Sequence, residues 1–120
     1  MIKQADTTVK LNEKINVNLI DENIQYQTLV KTTYHDGHVA LVLTNQPHDI
    51  ESFHLGEDDI ILTVNIVNMG EDTNLVTIDV NNRVVVQVLP ELVEQGLLDP
   101  TPYPDIPSGF VNYPIYKTYI

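Results

Sequence analysis

The chain has no cysteine and no tryptophan, and only six lysines and arginines against seventeen acids in 120 residues. The first absence excludes disulfides, thiolate metal centres and cysteine nucleophiles. No apolar run approaches the roughly 20 residues that span a bilayer. The opening Met1-Ile2-Lys3-Gln4-Ala5-Asp6 lacks the apolar core of a signal peptide, so the expectation is a cytoplasmic protein with no membrane contact. The five glycines stand apart, so no glycine-rich loop cradles a phosphate. Ser52 and Ser108 are the only serines, and neither sits in a glycine-flanked nucleophile elbow. Acids this numerous make a converging carboxylate pair easy to imagine and uninformative. The expectation is a non-enzyme without a cofactor.

What is present begins with the charge, a formal −11. The bases are Lys3, Lys10, Lys14, Lys31, Arg83 and Lys117. Between Lys31 and Arg83 lie nine acids and no lysine or arginine, and Val84 to Tyr116 adds Glu91, Glu94, Asp99 and Asp105. Such a field repels nucleic acid and anionic membranes and attracts basic surfaces, although solubility alone also accounts for an acidic chain. The hydrophobic fraction of 42% supports a folded core, and the length fits a single domain over residues 1–120.

Periodicity predicts an α+β fold: an antiparallel sheet of five or more strands with one helix near residues 84–96. Val9, Leu11, Ile15, Val17 and Leu19 recur at a spacing of two, with a break at Glu13 that reads as a turn or bulge. Residues 24–34 are rich in β-branched and aromatic types, and Asp36-Gly37 signals a hairpin into a strand from His38 to Thr44. The run Val39 to Leu43 suggests burial on both faces. Residues 45–59 read as an irregular acidic loop with a short helical turn near Asp49 to Phe53. Ile60 to Val67 reads as a strand, Met69 to Asp72 as a turn, and Thr73 to Val80 as the returning strand.

Asn81-Asn82 can cap a helix that Gly96 would end. Pro90 leaves an alternative of strand from Val84 to Leu89 followed by a short helix. Pro100, Pro102, Pro104 and Pro107 predict rigid coil after Leu98. A final strand, Phe110 to Ile120, is placed at a sheet edge by Pro114. In an extended strand Tyr113 and Tyr119 share one face and Tyr116 takes the other.

Two clusters invite functional readings. His35-Asp36-Gly37-His38 brackets the hairpin turn, where two imidazoles and a carboxylate could take a divalent metal or simply form a polar tip. Glu57-Asp58-Asp59 lacks the alternating oxygens and distal glutamate of a calcium loop. It is read as a solvated face or a partner-binding face. The candidate contact acids are Asp49, Glu51, Glu57, Asp58, Asp59, Glu71 and Asp72. The tyrosines near Lys117 lack the basic groove of a base-stacking platform, so direct nucleic-acid binding is not expected.

Leu62-Thr63-Val64-Asn65, Asp79-Val80-Asn81-Asn82, Gln95-Gly96-Leu97, Ser108-Gly109-Phe110 and Tyr113-Pro114-Ile115-Tyr116 follow one another in an order that carries a resemblance. Residues 60–117 resemble a family of short domain-of-unknown-function proteins carried by plasmids, conjugative elements and phages of Gram-positive bacteria. The resemblance implies a mobile-element context, in which small acidic proteins resemble anti-defence factors such as antirestriction and anti-CRISPR proteins. The expected partner is then a basic, nucleic-acid-binding protein such as a Cas9-type CRISPR nuclease. The alternative is a structural or assembly protein of a phage or mobile element.

Overall fold

A computed structural model describes residues 7–18, 21–49, 53–65 and 74–120. Antiparallel sheet dominates, with a single helix among the described residues. The largest ladder runs β1 (Thr7–Asn18), β2 (Asn23–Thr33), β3 (Val39–Thr44) and β4 (Ile60–Ile61), in that order. A second sheet places β5 (Leu75–Thr77) and β6 (Leu98–Pro100) on either side of β9 (Ile115–Thr118). The hairpin of β7 (Ile106–Ser108) and β8 (Val111–Tyr113) stands as its own two-stranded ladder. The longest ladder therefore has four strands. An isolated bridge, Thr63 to Ile78, joins it to the second sheet.

The period-two residues of β1 form the strand for the reason the pattern implies. Leu11, Ile15 and Val17 are buried while their neighbours face solvent. The break falls at the expected place: Lys10 pairs with Thr28 and Ile15 with Tyr26, so four residues of β1 oppose the single residue Gln27. β3 is buried from Ala40 to Thr44, as a strand without alternation requires.

The helix α1 (Arg83–Glu94) resolves the open alternative. Val85, Val88, Leu89 and Leu92 recur at helical spacing and are buried, each contributing about 1.5–3 kcal/mol. The Asn82 side chain accepts from the Val84 N–H at 3.0 Å. At the other end Gly96, at φ +77, donates to Val93, and Leu97 donates back to Leu92. This is a Schellman closure, which requires a left-handed residue. Pro90 stays inside the helix because its ring faces outward. The Val86 carbonyl it deprives of a donor belongs to an exposed residue, where water replaces the bond.

Three expectations change. The strand from Ile60 pairs with β3 only through Ile61, and from Thr63 onward it turns to the 77–79 segment. There Val64 donates to Thr77 and Asp79 to Leu62. β9 lies at the centre of its sheet rather than at an edge. Pro114 sits just outside it, and only its carbonyl is used, accepting from Ile78 at 3.0 Å. The final stretch is thus two strands, and the three tyrosines share no common strand frame. The proline-rich segment also holds β6 and β7, with Pro100 and Pro107 in edge strands that spare the missing N–H. The Met69–Asp72 turn and the core of the Asp49–Phe53 helical turn lie outside the described residues.

Gln95 ties the end of α1 to the bulge of β1. Its side-chain oxygen accepts from Asn12 N–H at 3.0 Å and Glu13 N–H at 3.4 Å, and its amide donates to the Glu13 carbonyl at 2.9 Å. A side-chain amide thereby satisfies backbone groups that the bulge removes from the ladder.

A candidate partner-binding groove

The acidic loop is positioned from beneath by β2. The buried Tyr26 sends its hydroxyl to the Asp58 carbonyl at 2.5 Å. Within the loop, the Asp59 carboxylate accepts from the Gly56 N–H at 2.7 Å and from Gln46 Nε2 at 3.2 Å. Gln46 also donates to the His54 carbonyl. A Cβ on Gly56 would lie 3.3 Å from Asp59 Oδ2, so glycine keeps this closure tight. Asp59 therefore holds the loop together, whereas Glu57 and Asp58 are exposed.

Beside the loop runs a groove of about 580 Å³, with Glu57, Asp58, Asp59 and Asp79 along its walls. Tyr26, Tyr34, Thr63, Asn65 and Asn82 complete its polar lining, and Ile60, Ile61, Val64 and Val84 supply its apolar part. No lysine or arginine lines it among the described residues. Asp79 arrives through the bridge between Thr63 and Ile78, which sets residues far apart in sequence side by side. Tyr34 is fixed at Thr63: its hydroxyl donates to the Thr63 carbonyl at 3.1 Å and shares a hydrogen bond with Thr63 Oγ1 at 2.8 Å.

The electrostatics reinforce one sign. Burial, and then the charges of Asp58, Asp59 and Glu22, push the Tyr26 hydroxyl above its ordinary 10.0. Burial likewise raises Tyr34, with Asp79 and Asp36 adding to it against the Thr63 hydrogen bond. Both phenols stay neutral. At the rim, Asn65 donates to Asp36 Oδ2 at 2.9 Å and the His38 N–H donates to Oδ1 at 3.1 Å. These bonds, led by that from Asn65, hold the Asp36 carboxyl below its ordinary value.

The hairpin tip is closed the same way. Gly37 takes φ +89 in the turn, and His38 Nδ1 lies 2.5 Å from Asn65 Oδ1 and 3.2 Å from Asp36 Oδ2. The third member of this triangle is an amide, and no three His, Cys, Asp or Glu side chains among the described residues converge on a metal-sized space.

Of the seven candidate acids, the groove gathers Glu57, Asp58 and Asp59. Asp49 is exposed in a turn apart from it. Glu51, Glu71 and Asp72 lie outside the described residues. Sequence reasoning missed Asp79, Tyr34, Asn65 and Asn82. Only the even spacing between Tyr26 in β2 and Tyr34 just beyond its end could have signalled a shared surface. No helix among the described residues is long and apolar enough to cross a membrane. No family model, curated protein or solved structure matches the chain.

Proposed function

We propose that this chain is an acidic protein inhibitor that docks its carboxylate-lined groove on the basic surface of a nucleic-acid-handling defence enzyme, with a Cas9-type CRISPR nuclease as the specific target. The observation that carries this reading is the groove itself, four carboxylates and two neutral phenols with no base among its lining residues. An enzyme that holds nucleic acid presents a cationic channel, and a folded surface of carboxylates competes for it. The mobile-element resemblance of residues 60–117 supplies the class of target.

The rival reading, an assembly protein of a phage or mobile element, calls for a sheet edge that pairs with another copy. Among the described residues β1 is the long edge strand of the large sheet, and it carries exposed Lys10 and Lys14 and a bulge engaged by Gln95. Lysines and bulges are devices that discourage edge pairing, which favours the inhibitor reading.

The test is DNA cleavage by a guide-loaded type II CRISPR nuclease, titrated with the protein at two salt concentrations. Inhibition should weaken at high salt, because exposed charges are screened. The double variant Glu57→Lys, Asp58→Lys should need at least about tenfold more protein for the same inhibition, through slower association and weaker steering. No inhibition at large molar excess would remove the nuclease from the reading.

A further inference from the structure

Phe110 is the most exposed large apolar side chain among the described residues. It occupies the turn of the β7–β8 hairpin, beside Gly109 at φ +63. No residue of that hairpin is buried, and none belongs to the core or packs against it. Two-stranded hairpins are marginal in water without a face to pack on. This one is stiffened instead by Pro102, Pro104 and Pro107, which restrict the unfolded chain. A side chain of this size at a turn contributes nothing to folding here, yet it is presented on a pre-organised support. Such a support lowers the ordering cost of binding.

The root of the hairpin lies beside the acidic groove. Pro114, directly after β8, accepts the Ile78 N–H, and the next residue, Asp79, lines the groove. Strand rise places Phe110 within about 14 Å of Pro114. Residues 84–116 carry acids and no lysine or arginine. A second copy of a chain at −11 is therefore a poor occupant, since it would bring like charge to the same surface. Charge complementarity selects a pocket that is apolar within and basic at its rim. Pro107 opposite Asn112 interrupts the donors of β7, which favours recognition through the Phe110 ring over strand addition.

We infer that the β7–β8 hairpin is an anchoring arm, with Phe110 seating in an apolar, basic-rimmed pocket on the protein that the acidic groove engages. This rests on the groove reading. Interfaces of this kind concentrate affinity in a few buried aromatics inside a polar ring. The groove then governs encounter and salt dependence, and the arm governs residence time.

The experiment measures binding of fluorescently labelled protein to the guide-loaded type II CRISPR nuclease at two salt concentrations, for the wild type, Phe110→Ser, Phe110→Trp and Glu57→Lys/Asp58→Lys. Phe110→Ser should weaken binding about thirtyfold by the same factor at both salts, with an unchanged melting temperature. Phe110→Trp should retain binding. The loss from the charge-reversal variant should shrink as salt rises. Wild-type affinity in Phe110→Ser would overturn the arm and leave the groove reading standing. A lowered melting temperature in that variant would show that Phe110 packs on the fold, and would also overturn it. If the wild type itself does not bind, the groove reading fails and takes the arm with it.

Discussion

The β1–β3 sheet and the β7–β8 hairpin are both antiparallel, but they exist for different reasons. In the sheet, Ile15, Leu29, Leu41 and Leu43 are wholly buried, and burial fixes which face each residue takes. In the hairpin nothing is buried, and the strands follow from a left-handed glycine and surrounding prolines. The contrast shows that this chain forms strands both by packing and by turn chemistry. In the second kind no side chain is committed to the core.

The largest expected effect separates the two kinds directly. Leu41→Ala should cost about 2–5 kcal/mol in chemical denaturation, because the cavity it leaves is enclosed. Phe110→Ser should stay within about 0.5 kcal/mol in the same measurement. A comparable loss from both would erase the distinction. Next in size, Gln95→Ala should cost about 0.5–1.5 kcal/mol, since it removes side-chain hydrogen bonds to exposed backbone groups of the β1 bulge that water then takes up. Hydrogen exchange at Asn12 and Glu13 should rise with it, while exchange at Leu43 on β3 should follow only global stability.

The smallest effect concerns the hairpin tip between β2 and β3. Hydrogen bonds hold the Asp36 carboxyl below 3.8, so its stabilising contribution is complete above that value and is lost as pH falls through the lower folded value. The Asn65 side-chain amide resonance should move in that acid window. In Asp36→Asn the movement should vanish.

The elements built by burial were the legible ones. β1, β2 and β3 follow from alternation and composition, and α1 from Asn82, the valine and leucine spacing, and Gly96. The elements built by turn chemistry were not. Pro107 argued for coil because its neighbours could not reveal that β7 is an edge. Pro114 argued for an edge because nothing local showed that it would fall outside β9. The groove divides in the same way. Glu57 and Asp58 stand out as contiguous charge, whereas Asp79 reaches it through the Thr63–Ile78 bridge and Tyr34 through its hydrogen bonds to Thr63. A single sequence does not display such long-range pairings.

The clasp between Gln95 and the β1 bulge has a consequence during synthesis. β1 leaves the ribosome before α1 does, and the side chain that engages its irregular edge follows 82 residues after Glu13. At about 5–20 residues per second, that edge waits on the order of ten seconds for its cover. Over that interval the growing chain depends on Lys10 and Lys14 to keep a neighbouring nascent chain from adding a strand. The two lysines that blunt this edge in the folded sheet therefore act before the helix that engages it has been made.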